Sequence, residues 1–164
     1  MPSGSPYRTA ILVLSDRAAS GARPDACIPA VKEMLDERYE VMRERVLPDD
    51  AAALQAELIE LADREGAALV LTSGGTGLGP RDRTPQATAA VIDFEVPGIG
   101  EVMRAASLPI VKTAMLSRAT AGVRGSTLIV NLPGSPKAVR ETLGAVAEAL
   151  PHALDLLAGA VADG

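Results

Sequence analysis

The chain has 164 residues, 48% of them hydrophobic and 23% charged, and a formal net charge of −5. Such a length suits one domain with a substantial core, and the acidic balance argues against non-specific nucleic-acid binding, which needs a basic face to neutralise phosphates. With two Tyr, one Phe and no Trp, the core has to be built from Ala, Val, Leu and Ile, and stacking of a flat ligand on aromatic rings is not expected.

In chain order, residues 1–7 read as a flexible N-terminus. They lack the basic and apolar regions of a signal peptide, and no later stretch approaches the length of a membrane span, so a cytoplasmic protein without a membrane partner is expected. Residues 8–14 read as a buried strand, followed by a loop through Pro24 and a helix over about 29–37 with Val31, Met34 and Leu35 on one face. Cys27 is the only cysteine; this excludes an internal disulfide framework or a cysteine zinc cluster and leaves a small core residue. Residues 39–46 alternate as a second strand, and Asp49 or Asp50 caps a helix in which Leu54, Leu58, Ile59 and Leu61 recur at helical spacing.

Residues 68–72 form a third strand, which leads through a glycine-rich loop to a helix over about 85–93, with Thr84 as its N-cap and Pro85 in its first position. A further helix is expected over 98–106. Residues 119–123 and 127–131 flank Arg124-Gly125-Ser126 as a hairpin. Ser135 caps a last helix that starts at Pro136 and runs toward Leu150; His152, the only histidine, lies late in a helix after Pro151 and on the surface, and the tail 159–164 frays. Strand–helix alternation with short connections implies parallel strands and right-handed crossovers. The expected fold is one three-layer α/β/α domain over residues 8–158, with a mostly parallel central sheet and an antiparallel edge strand.

The most informative stretch is Thr72-Ser73-Gly74-Gly75-Thr76-Gly77-Leu78-Gly79-Pro80-Arg81-Asp82-Arg83-Thr84-Pro85. It sets glycines, hydroxyls, guanidiniums and one carboxylate between a buried strand and a helix start. Open α/β sheets bind ligands at that end of a strand, and glycines let backbone N–H groups approach phosphate oxygens with no Cβ in the way. Two familiar phosphate fingerprints are excluded by spacing. Gly79 is followed by Pro80-Arg81 rather than the Lys-Ser or Lys-Thr of Walker A, and Pro80 stands where the dinucleotide pattern needs its third glycine. No Ser-His-Asp nucleophile set can be assembled around the lone His152.

The loop resembles the signature of the molybdopterin adenylyltransferase family, which includes MogA, the related MoaB proteins and gephyrin-like G domains. Five further blocks share the resemblance in the family's order: Leu14-Ser15-Asp16-Arg17 with Ser20-Gly21 and Asp25, Leu47-Pro48-Asp49-Asp50, Val96-Pro97-Gly98-Ile99-Gly100-Glu101, Leu116-Ser117-Arg118, and Asn131-Leu132-Pro133-Gly134-Ser135-Pro136-Lys137. The Ser-Asp-Arg start and the Arg-Asp-x-Thr-Pro segment look more like the MogA branch. Gln86 departs from it, standing where that branch usually carries an acid.

The resemblance implies adenylylation of molybdopterin by Mg-ATP with release of pyrophosphate, a step of molybdenum cofactor biosynthesis. It implies a homotrimer and a molybdenum-insertion protein downstream. A non-catalytic molybdopterin-binding or carrier domain is the alternative. Adenylyl transfer needs donors for phosphate oxygens, Mg²⁺ held by carboxylates, and a positioned phosphate nucleophile. The family pattern makes Asp49 and Asp82 the functional carboxylates, as Mg²⁺ ligands or as partners of the pterin edge. Ser15, Asp16, Gly74, Gly75, Thr76, Gly77, Ser117 and Arg118 are the expected ligand-binding residues, and Gly134, Ser135 and Lys137 form a second phosphate cradle at a helix N-terminus.

Overall fold

The computed structural model describes residues 4–161. Six strands form one sheet in the order β2-β1-β3-β6-β5-β4: β1 (Tyr7–Leu14), β2 (Tyr39–Leu47), β3 (Leu69–Ser73), β4 (Phe94–Glu95), β5 (Ala121–Arg124) and β6 (Thr127–Leu132). The first four in spatial order run parallel. The expected hairpin is present, turning on Gly125 at φ +57°, so β5 lies antiparallel to β6; the two-residue β4, which the sequence does not announce, closes that end antiparallel to β5.

Strands buried on both faces need apolar residues at successive positions, and β1 shows why the run Ile11-Leu12-Val13-Leu14 exists. Ile11 and Val13 belong to one core with Val31, Met103, Val139, Leu143 and Leu154. Leu12 and Leu14 belong to the other, with Leu54, Leu58, Leu61 and Ala87. The first face is therefore covered by α2 (Cys27–Met34), α5 (Pro97–Ser107), α6 (Pro136–Val146) and α7 (Leu150–Leu157), and the second by α3 (Ala51–Ile59), its π-helical continuation Glu60–Arg64, and α4 (Thr84–Ala89). The crossover after β1 runs to β2 on one side, whereas the connection after β3 runs to the other side, toward β6, which puts a topological switch point between β1 and β3.

Several boundaries differ from the sequence expectation for identifiable reasons. A four-residue α1 (Asp16–Ala19) follows β1, with Ser15 Oγ accepting from Ala18 N. α2 starts at Cys27, two residues early, because both carboxylate oxygens of Asp25 accept from its first backbone N–H groups at 2.9 Å. Arg83 rather than Thr84 occupies the cap position of α4. The long last helix is two: continuing it would oppose Pro151, which has no N–H to give, to the carbonyl of Ala147, so the chain breaks after Val146 and restarts with the proline in the first turn. Tyr7, expected within the flexible N-terminus, instead opens β1 and donates its hydroxyl to Asp155 Oδ1 at 2.8 Å. Of the N-terminal segment and the tail, residues 1–3 and 162–164 lie outside the described residues. His152 is exposed on α7 and Cys27 is buried, as expected.

Candidate active site

The glycine loop leaves β3 at the switch point, and its shape is set by contacts that exclude side chains. A Cβ on Gly74, at φ +100°, would stand 2.3 Å from the carbonyl oxygen of Leu14, and one on Gly75, at φ +69°, would stand 2.2 Å from Thr84 Oγ1. Gly134, on the loop after β6, packs on Gly74 in turn. The loops after β1, β3 and β6 are thereby drawn into one rim. Gly74 N–H is committed to Leu132 O at 3.1 Å. Among the described residues the N–H groups of Gly75, Thr76 and Gly77 have no acceptor, so donors for an anion are concentrated there.

Arg118 braces the loop from behind. Its backbone N–H donates to Thr76 O at 2.9 Å, Nε to Gly77 O at 2.9 Å and Nη2 to Asp82 O at 2.6 Å. The Asp82 carboxylate fills the concave side: Oδ2 accepts from Gly79 N at 2.9 Å and lies 2.9 Å and 2.8 Å from where a Cβ on Gly77 or Gly79 would stand.

Two pockets flank this loop. The first is a polar cleft of about 190 Å³ lined by Ser15, Arg23, Asp49, Gly75, Asp82 and Gly134. The adjacent acids after β2 divide their work: Asp50 Oδ1 caps α3 by accepting from Ala53 N at 3.1 Å, and Asp49 turns to the cleft. Asp49 and Asp16 hold each other in a reciprocal pair, Asp16 N donating to Asp49 Oδ2 at 3.1 Å and Asp49 N to Asp16 Oδ1 at 3.0 Å. Arg81 then clamps Asp16 with Nε at 2.6 Å and Nη2 at 3.0 Å.

The environments push the two acids apart. The Arg81 hydrogen bonds hold the Asp16 carboxyl below its ordinary value. Partial burial raises that of Asp49, with the negative charges of Asp16 and Asp82 adding to the effect.

The second pocket is an apolar cavity of about 380 Å³ on the other side of Thr76 and Gly77, walled by Met103 of α5, by Val111 and Leu116 in and beside a 3-10 helix (Lys112–Leu116), and by Ala138 of α6. Its polar lining includes Ser107, Ser117 and Glu141. Ser107 Oγ is buried without a hydrogen-bond partner.

Of the residues singled out from sequence, Ser15, Asp49, Gly74, Gly75, Asp82 and Gly134 therefore meet at the cleft, whereas Thr76, Gly77 and Ser117 line the cavity. Asp16 positions Asp49 beside the cleft rather than lining it. Arg118 gives two side-chain donors to the loop's own backbone instead of to an anion. Ser135 caps α6, Oγ accepting from Ala138 N at 3.2 Å, and Lys137 is exposed with Nζ 3.9 Å from Glu141 Oε1. Gln86 is exposed on a different groove with Glu101 and Arg104, so the missing acid takes no charge from the cleft. Sequence reasoning missed Arg23, which is a lone cation in a loop, and missed Ser107 and Glu141, whose positions on α5 and α6 carry no motif signal.

Fold and site together define a doubly wound α/β protein with an acidic, glycine-lipped cleft at the carboxyl ends of parallel strands. Residues 10–152 match the model of a family described as a probable molybdopterin binding domain, and the chain belongs to that family. A curated molybdopterin adenylyltransferase of Escherichia coli K12 is 42% identical over 167 residues, covering 93% of this chain and 86% of the relative. That of Helicobacter pylori J99 is 43% identical over 157 residues, with 91% and 86% covered. Among solved structures, the molybdopterin biosynthesis enzyme MoaB from Thermus thermophilus superposes with a TM-score of 0.89 at 50% identity, covering 93% of this chain and 97% of its own. The molybdopterin biosynthesis Mog protein from Mycobacterium ulcerans does so with 0.85 at 42%, covering 92% and 98%.

Proposed function

We propose that the chain is a molybdopterin adenylyltransferase of molybdenum cofactor biosynthesis, transferring AMP from Mg-ATP to the terminal phosphate of molybdopterin with release of pyrophosphate. The observation that carries the reading is the convergence of Asp49, Asp82 and the Gly75 end of the loop on one cleft at the switch point, with the free N–H groups of Gly75 to Gly77 on the wall that this cleft shares with the cavity.

The donor set suits Mg²⁺. Among the described residues no group of three His, Cys, Asp or Glu is arranged to hold a metal by itself. Of the three carboxylates on the cleft, Asp25 is engaged through both oxygens at the start of α2, and the other two, Asp49 and Asp82, fit a cation that arrives with its nucleotide, since Mg²⁺ is commonly held by one or two carboxylates with phosphate oxygens and waters. When bound, Mg²⁺ neutralises phosphate charge and helps pyrophosphate leave.

The chain's residues do the rest. The N–H groups of Gly75 to Gly77 hold phosphate oxygens, Arg118 keeps their carbonyls from turning inward, and Asp16 with Arg81 fixes the orientation of Asp49. The apolar cavity seats the pterin, and the loop between the pockets brings its phosphate to the nucleotide's α-phosphate. Catalysis is then positioning and electrostatics, with no covalent enzyme intermediate.

A homotrimer in the cytoplasm, handing its product to a molybdenum-insertion protein, completes the reading. The exposed apolar residues Leu108, Ile110 and Met115, outside the cavity lining, offer a surface on which copies can associate. No helix among the described residues is long and apolar enough to cross a membrane.

The test is incubation of the purified protein with molybdopterin, ATP and Mg²⁺, with adenylyl-molybdopterin followed by mass spectrometry. Stoichiometric product and pyrophosphate are expected. A folded protein that binds molybdopterin and forms no product is a carrier instead.

A further inference from the structure

We propose that Glu141 selects the pterin of the substrate, its carboxylate accepting the two parallel N–H donors of the pterin's pyrimidine edge. The inference rests on the reading of molybdopterin as substrate.

The cavity beside the glycine loop is apolar where its walls are Met103, Val111, Leu116 and Ala138, and polar at only a few points, the pattern of a site that encloses a flat ring and orients it by a few hydrogen bonds. Glu141 is the one acid on its lining. Its side chain is only 18% exposed and its nearest cation, Lys137, stays 3.9 Å away, too far for a hydrogen bond. Among the described residues Glu141 accepts no hydrogen bond at all, although a carboxylate turned to an apolar cavity is costly without donors. The second unanswered polar group is Ser107 Oγ, buried in the same lining without a partner.

A pterin carries N3–H and the 2-amino group side by side, a donor–donor edge that a carboxylate accepts in the forked manner it uses for guanidinium. The Ser107 hydroxyl, donor and acceptor at once, is available to the ring's remaining polar atoms.

The same arrangement argues against adenine in this cavity. Adenine offers the 6-amino donor beside the N1 acceptor, which would set a lone pair against the carboxylate. With the ring edge at Glu141 on α6, the Thr76–Gly77 side of the cavity faces the phosphate-bearing side chain, on the route to the cleft.

The experiment uses the full chain as wild type, Glu141→Gln and Glu141→Ala, titrated with pterin, with lumazine (which replaces the 2-amino donor by a carbonyl) and with adenosine. Glu141→Gln is nearly isosteric, and Mg-ATP binding and Tm serve as controls for folding. Wild type is expected to bind pterin ten- to a hundredfold more tightly than lumazine, the range set by hydrogen bonds to a charged group. Glu141→Gln is expected to close most of that gap, and Glu141→Ala to weaken pterin. With molybdopterin as substrate, Glu141→Gln should raise KM by a similar factor and change kcat far less. A pterin–lumazine gap that survives Glu141→Gln overturns the inference, as does a wild type that binds neither ring, or in which adenosine displaces pterin. Absence of adenylyl-molybdopterin from wild type would instead overturn the transferase reading, while pterin discrimination would still report on Glu141.

Discussion

The polar cleft and the apolar cavity share the glycine loop as a common wall and are otherwise made from opposite materials. The cleft is assembled from loop tips after β1, β2, β3 and β6, and its charged groups come from the first three of these, separate places in the sequence brought within reach by strand order. The cavity is assembled from the sides of α5, α6 and the 3-10 helix, with walls of the same residue types that fill the core. The contrast separates two tasks. Loops at strand ends can carry charge because they border water; helix faces can exclude water because they are already apolar. A reaction joining a phosphate-bearing pterin to a nucleotide needs both, side by side.

The sharpest way to break this division is to neutralise the cleft. Asp49→Asn and Asp82→Asn should each lower kcat/KM for adenylylation by about a hundred- to a thousandfold while leaving pterin affinity near wild type. Equal loss of pterin binding would show that the pockets are one. Asp49→Asn carries a second expectation. Burial raises the folded-state carboxyl above its unfolded value, so the charged form at neutral pH opposes folding, and removing the charge should leave Tm level with or above wild type. Thermal melts beside the kinetics check both.

The shared wall comes next. Gly75→Ala puts a Cβ on Thr84 Oγ1 at a positive φ, and should destabilise the fold by about 1–3 kcal/mol, seen as a fall of several degrees in Tm. Arg118→Ala frees the carbonyls of Gly77 and Asp82, and because the loop serves both pockets it should raise KM for ATP and for molybdopterin together, by roughly three- to tenfold. A rise in only one of them would give the loop to one pocket.

The smallest effect concerns pH. Because Asp49 is raised, the acid limb of kcat/KM should lie above the ordinary carboxylate value of 3.8. The Arg81 charge lowers Asp49, so Arg81→Ala should move the limb to higher pH. A limb that stays in place would mean that another group sets it.

The two pockets also differ in how far they could be read beforehand. β1, β3 and β6 were visible as apolar runs between turn residues and β2 as an alternating one, the glycine loop stood out by its composition, and Asp49 and Asp82 stood out through the family resemblance, since an acid before a helix otherwise reads as a cap. The pairing of Asp16 with Asp49 was not visible, since it depends on β1 and β2 being neighbours in register, 33 residues apart. Arg118 was expected to bind ligand because it belongs to the Leu116-Ser117-Arg118 block of the family resemblance; only the fold shows its donors turned to carbonyls. Ser107 and Glu141 left no trace, because a serine or glutamate on an amphipathic helix is the commonest of surface residues until a cavity opens beside it.

By itself, then, the sequence determined the alternation of strands and helices and the rim at which ligands meet the sheet, because apolar period, glycine and proline act locally. Tertiary structure alone decided which acid capped and which faced the ligand, that one loop would divide two pockets, and that a helix face would line a cavity. Those outcomes are set by packing between segments far apart in the chain.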